Sequence, residues 1–279
     1  MSCSSSKNSD CNYITDYYPN TSKGELEYLS GNYKEAFKYY KRAFENCEPL
    51  NFSQNYDIQN FAIICTRLGK NDLALDYIEK SIEKGITIKT FQKNPVFKKI
   101  FDSERGENLK KNYSDKRAKY LSNLNLELRS KIQKMRELDI KFNSTKYEDS
   151  IYNLNDSLLV QIFEKYGYPN EQLIGNFGID QQPVSPEIIL IHSRDSIRIN
   201  YFIPQIMKFV KNGNCPPLIL GALHDNLDLY NGNKLSYGVY PNKRISDTAV
   251  INQNRKTIGL PSLSLTKKID SLKNENYDN

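Results

Sequence analysis

There is no tryptophan in this chain, and among 279 residues there are only two histidines, three methionines and five cysteines. The scarcity of histidine confines any imidazole chemistry to His192 and His224. The cysteines, Cys3, Cys11, Cys47, Cys65 and Cys215, are odd in number, and no two have C-x-x-C spacing. Neither a zinc site nor a redox pair is therefore indicated. Cys47 and Cys65 fall at helical positions, where they are expected to pack as small hydrophobes. No apolar run approaches the roughly 20 residues that span a bilayer. A Walker loop and the G-x-G-x-x-G, G-x-S-x-G and H-E-x-x-H patterns are all absent, and no serine or cysteine has the neighbours of an activated nucleophile. No cofactor and no metal is expected.

What is present is charge, tyrosine and helical periodicity. The 39 basic and 33 acidic residues give a net charge of +6, but the two signs are interspersed. No basic arm or stripe with interleaved aromatics stands out, so nucleic acid is not expected as a partner. Twenty tyrosines and twelve phenylalanines supply much of the apolar material. A tyrosine buries its ring and keeps its hydroxyl wet or paired, which suits thin helical layers with much surface.

Residues 1–20 read as a disordered tether ending in Tyr17-Tyr18-Pro19-Asn20. Its start, Met1-Ser2-Cys3-Ser4-Ser5-Ser6-Lys7-Asn8, resembles the mature end of a bacterial lipoprotein, in which a lipid on Cys3 would be the link to a membrane. That resemblance implies a bacterial cell envelope; without it the cytoplasm is the alternative.

Periodicity begins at about residue 21. In Gly31-Asn32-Tyr33-Lys34-Glu35-Ala36-Phe37-Lys38-Tyr39-Tyr40-Lys41-Arg42-Ala43, the glycine makes a turn between paired helices. Ala36 and Ala43 are small where those helices cross, and Tyr33 and Tyr40 fill the groove beside them. A second copy, Gly69-Lys70-Asn71-Asp72-Leu73-Ala74-Leu75-Asp76-Tyr77-Ile78, lies 38 residues on and has Ser81 where alanine is usual. Its leading helix, Ile58 to Leu68, packs through Phe61, Ala62, Ile64, Cys65 and Leu68. Over about residues 24–105 this spacing resembles tetratricopeptide repeats, whose period is about 34 residues. Two repeats bury little, so Ile86 to Phe101 is expected to cap the stack through Phe91, Val96, Phe97, Ile100 and Phe101.

The predicted architecture is mainly α. Tetratricopeptide-like hairpins occupy 21–105 and a long connecting helix lies in 106–142. A mostly helical domain with one small β-hairpin fills 143–270, and 271–279 forms a frayed tail. The connecting helix is read from Leu121, Leu124, Leu128, Ile132, Met135, Leu138 and Phe142, one stripe running from Lys116 to Phe142. In the C-terminal domain, Asn155-Asp156 is expected to cap a helix that Gly167 ends. Further helices start at Ser185-Pro186-Glu187, Arg198 and Pro216-Pro217. Asn231-Gly232 between alternating residues predicts the hairpin.

From about Leu126 to Pro261 the chain also resembles a bacterial domain-of-unknown-function family. The residues that carry this are Leu128-Arg129 through Asp139, Lys165-Tyr166-Gly167-Tyr168-Pro169, Ile191-His192-Ser193-Arg194-Asp195, Leu223-His224-Asp225-Asn226, Tyr237-Gly238 and Gly259-Leu260-Pro261. The family's polar marks, H-A-D, L-x-D-R and Q-x-Y-G-T-Q, stand here as His-Ser-Arg-Asp, Leu-His-Asp-Asn and Leu-Ser-Tyr-Gly-Val-Tyr. An arginine, the glutamines and a threonine are thus replaced, and the resemblance implies no known activity.

Two functional readings follow. The repeats suggest an interaction or scaffold protein that takes a peptide or partner protein along its leading helices, with Asn55, Gln59 and Asn60 as lining residues. The alternative is a metal-binding or hydrolase-like C-terminal domain. A helix would place His192 and Asp195 on one face; if that segment meets His224 and Asp225, two imidazoles and two carboxylates converge. The bland account of each His-Asp pair is a packed, hydrogen-bonded ring at a helix end.

Overall fold

Gly31 (φ +77°) and Gly69 (φ +71°) are the reversal points of two helical hairpins. The computed structural model describes residues 11–50, 52, 56–241 and 243–277. In it, α1 (Tyr18–Leu29) pairs with α2 (Tyr33–Asn46), and α3 (Asp57–Arg67) pairs with α4 (Asn71–Glu83). Space around both glycines is open, so backbone conformation alone demands glycine there. Ala36, Ala43 and Ala74 are fully buried at the crossings. Gly24 of α1 lies so close to the Tyr40 ring that an added Cβ would stand 2.8 Å from it. Phe61 joins the two hairpins, with its ring centroid 5.3 Å from that of Phe37 and 4.6 Å from that of Tyr77. Ser81 is buried where the repeat pattern has alanine, and its hydroxyl has no hydrogen-bond partner among the described residues.

The expected cap consists of α5 (Ile88–Gln92), a 3-10 turn (Pro95–Phe97) and α6 (Lys98–Phe101). Phe91, Phe97, Ile100 and Phe101 are buried and Val96 is half-buried. They close the front core together with Leu109 of α7 (Glu104–Ser122).

Residues 11–20 are not a tether. Cys11 is disulfide-bonded to Cys47, Tyr13–Tyr17 forms a π-helical turn, and Pro19 sits in the first turn of α1. Cys47 is thus half of a cross-link rather than a packing thiol; its partner lies 36 residues away, a spacing that no short motif encodes. Tyr17 is fully buried, donates to Asp57 Oδ2 at 2.9 Å and accepts from the Leu50 amide at 2.9 Å. Tyr18 reaches the carbonyls of Val210 and Cys215 at 3.4 and 3.3 Å. These tyrosines, with Ala43, Leu50 and Phe52, belong to the same core as Ile206, Val210, Ile219 and Leu220. The segment expected to be loose is therefore the mortar between front and back. Cys3, the expected lipid carrier, lies outside the described residues.

The long connecting helix is two helices. α7 stops at Ser122 and α8 runs from Leu126 to Phe142. The Asn125 side chain accepts from Leu128 N at 2.9 Å, capping α8, while its amide donates to Leu173 O at 2.8 Å. The stripe serves α8: Leu128, Ile132 and Met135 are buried, whereas Leu121, its one member on α7, is exposed.

Behind it come α9 (Glu148–Tyr166), α10 (Glu171–Ile174), α11 (Glu187–His192) and α12 (Asp195–Ile197). A π-helical turn (Arg198–Phe202) leads into α13 (Ile203–Lys211), followed by α14 (Pro217–Tyr230), α15 (Thr248–Thr257) and α16 (Leu263–Tyr277). Asn155 and Asp156 do not cap α9; they lie inside it, buried. The expected β-hairpin is not seen. α14 continues to Tyr230, and the described residues 235 and 245 form one isolated bridge. The carboxylate of Asp225 takes the Tyr237 and Val239 amides at 2.7 and 2.6 Å, and Asp228 takes that of Ser236 at 2.8 Å, amides a second strand would have needed. The expected frayed tail is helical as far as Tyr277, with Lys273 ion-paired to Glu25 at 2.8 Å. The protein is mainly α, and no helix among the described residues is long and apolar enough to cross a membrane.

Candidate functional site

His192 closes α11, and its Nδ1 lies 2.5 Å from Oδ1 of Asp139, a fully buried residue in the last turn of α8. Asn155 Nδ2 approaches the other Asp139 oxygen at 3.4 Å. The Tyr152 ring lies against the imidazole at 5.2 Å between centroids. Burial, then the charges of Asp139 and Glu148, push the Tyr152 hydroxyl up to about 12, so it stays protonated at neutral pH. Asp195, the partner expected from spacing, is not the one found. Ser193 leaves the helix with ψ 146°, which breaks the i, i+3 register, and Asp195 instead sits 3.7 Å from Arg198 on the surface side.

The second predicted pair also divides. His224 stacks on the Tyr237 ring at 5.0 Å, and burial lowers its pKa against the opposing charge of Asp228. Asp225 braces the 236–239 loop through backbone amides; burial raises its pKa and those amides pull it back. The four residues do not form one ligand set. Among the described residues, no group of three or more His, Cys, Asp or Glu side chains that includes His192 or His224 offers ligand atoms within 4.8 Å of one another. The group that does, Cys11, Asp16 and Cys47, has its two sulfurs tied in the disulfide.

The residues that surround His192 carry no short sequence signature. Asp156 is fully buried and accepts from Arg194 Nε at 2.9 Å. Arg198, also buried, donates to Asn226 Oδ1 at 2.6 Å and to the Ser193 carbonyl. Asn155 Oδ1, Asp156 Oδ1 and Arg198 Nε have no hydrogen-bond partner among the described residues. Two other buried arginines are fully committed to the fold. Arg129 clamps Asp180 and the carbonyls of Ile174, Gly175 and Gln182, and Arg255 ties Tyr237 to Pro261 and Thr266.

On the repeat side, Asn60 Nδ2 lies 3.3 Å from the Tyr40 hydroxyl, so that amide is used inside the hairpins. Gln59 is half-buried on α3, and Asn55 lies outside the described residues.

Two concavities lie elsewhere, where front and back meet. One cleft, of about 310 Å³, is walled by Phe52, Tyr168, Pro169, Phe177, Pro183, Pro186 and Pro216, with Glu171 and Glu187 among its polar groups. A second, of about 190 Å³, is walled by Tyr18, Pro216, Pro217, Leu260 and Pro261, with Glu25 and Asp57. Phe52 and Pro216 line both, so the two are neighbouring parts of one groove. Among the described residues, no lysine, arginine or histidine lines either part. The six proline rings give it walls with little conformational entropy left to lose. Burial pushes the Glu187 carboxyl up, and the Ser185 hydroxyl only partly offsets this. The chain matches no family model, no curated protein and no solved structure.

Proposed function

We propose that this chain is a protein-interaction protein that seats an extended segment of a partner in the groove between its helical hairpins and its C-terminal helices. The observation that carries this is the groove itself: preformed, proline-walled, spanning two structural units and lined, among the described residues, by no basic side chain. The two glycine-hinged hairpins keep the tetratricopeptide-like reading, in which such stacks present surfaces rather than perform reactions. The leading-helix face is the weaker candidate, since Asn60 is already engaged with Tyr40. We also place the chain in an oxidising compartment such as a bacterial envelope, with the Cys11–Cys47 disulfide as the support and Cys3 as the lipid-bearing residue. Partner capture by the full chain tests the groove. Phe177→Ala is expected to lose the partner while Gln59→Ala keeps it; loss with Gln59→Ala alone would overturn the reading.

A second reading, a hydrolase-like C-terminal unit, is favoured by the Asp139–His192 pair. A carboxylate holding Nδ1 leaves Nε2 as the available base. Asn155, whose Nδ2 contacts Asp139, has an unpartnered Oδ1, the kind of group that a bound polar molecule satisfies. Among the described residues no serine or cysteine is hydrogen-bonded to the pair, so water would be the attacking group. A hydrolytic activity, found by substrate screening and abolished by His192→Ala in a folded protein, would support it; activity unchanged by that substitution would remove it.

A further inference from the structure

We infer that the larger part of the groove is a lysine pocket, in which the Glu187 carboxylate receives the side-chain ammonium of an extended partner peptide. This rests on the groove reading above and names the chemistry it recognises.

Glu187 opens α11, and an acid in a first helical turn is often there for the helix dipole. A dipole-stabilised carboxylate has a lowered pKa, whereas burial pushes this one up. Among the described residues, no basic one lines the cleft to neutralise it. The nearest buried titratable groups beneath, Tyr168 and Cys215, are themselves pushed up by burial and stay neutral. An acid held in apolar walls without a cation costs stability, and it is a partner-directed group when the cation arrives with a ligand.

The walls select among cations. A volume of about 310 Å³ is at the small end of ligand sites, which run from about 300 to 1,000 Å³, and suits one long side chain. Proline and aromatic rings, among them Phe52, Tyr168 and Phe177, would cover an aliphatic stem. Phe177 is 56% exposed at the rim, an otherwise costly position for a large ring. A guanidinium brings five donors in a fixed fork and needs several acceptors. Asn170 and Asn176, also in the lining, already spend their side chains on Asn214, Gly85 and local backbone amides. An ammonium is compact and is served by one carboxylate.

The test uses the full chain and two pools of acetylated, amidated hexapeptides, degenerate except for a fixed central residue. That residue is lysine in one pool and its uncharged isostere norleucine in the other, with n-butylammonium alone as a third probe. The lysine pool is expected to bind at least tenfold tighter than the norleucine pool on the unaltered protein, with Glu187→Gln erasing the difference. Butylammonium is expected to compete only weakly, since the peptide backbone supplies the rest of the groove contacts. Equal binding of the two pools overturns the lysine pocket and leaves the groove reading standing. Binding of neither pool overturns both. Because the pools are compared on the unaltered protein, the outcome stands even if the variant fails to fold.

Discussion

The imidazole of His192 and the carboxylate of Asp139, 53 residues apart in sequence, meet at 2.5 Å. Asp139 is fully buried, and its other oxygen has only the longer contact from Asn155 at 3.4 Å. Deleting the imidazole leaves a buried acceptor without its short hydrogen bond, so His192→Ala is expected to cost about 1–3 kcal/mol in urea unfolding. Combining it with Asp139→Asn should recover part of that loss, read as a coupling energy in a double-mutant cycle. Strict additivity would show that the pair is not coupled.

The N-terminal segment makes a second test. The Cys11–Cys47 cross-link spans 36 residues, for which chain entropy gives roughly 3–4 kcal/mol. A Cys11→Ser/Cys47→Ser double variant is expected to unfold at correspondingly lower denaturant. Tyr17→Phe should cost about 1–3 kcal/mol, because the Leu50 amide loses its buried acceptor. Unchanged midpoints for both would return this segment to the status of a tether.

Gly24→Ala would normally favour a helix by about 1 kcal/mol. Here the new methyl would stand 2.8 Å from the fully buried Tyr40 ring. Overpacking of this kind costs about 1–3 kcal/mol, so a lowered thermal midpoint is expected. A raised midpoint would mean that the α1–α2 crossing is looser than drawn.

Two titrations have opposite signs. The Glu187 carboxyl is raised in the fold by burial, so the stability that its neutral form contributes is complete below the unfolded value of about 4.3 and is lost as pH rises through the folded value. Glu187→Gln should therefore be more stable than the parent at pH 7, within the ~0.5–2 kcal/mol range of stabilising substitutions. His224 is lowered by burial, so its contribution is present above the unfolded value of about 6.5 and is lost as pH falls through the folded value. His224→Gln should flatten the difference curve below pH 6.5. Thermal melts across pH 4–8 read both.

The sequence was legible where periodicity and punctuation agree. Gly31, Gly69 and the buried alanines carried the hairpins, and the helix expected to start at Arg198 is found there as a π-helical turn that leads into α13. It misled where polar side chains satisfy backbone groups at long range. The amide pairs of the supposed hairpin belong to Asp225, and Asn125 splits the connecting helix. His192 was legible as a candidate, but its partner was not. An i, i+3 rule assumes that the helix continues, and Ser193 ends it. Asp156, Arg198 and the groove residues Phe52, Phe177 and Pro216 come together only through tertiary packing, which no local pattern encodes.

The most direct measurement places a photo-reactive benzoylphenylalanine at position 177, or at position 59, in the full chain and maps its adducts by mass spectrometry in cells of its own source. A discrete adduct from 177, joined to an extended lysine-bearing stretch of one partner, and none from 59, is the expected result. Adducts from 59 with none from 177 would contradict the groove as the binding surface.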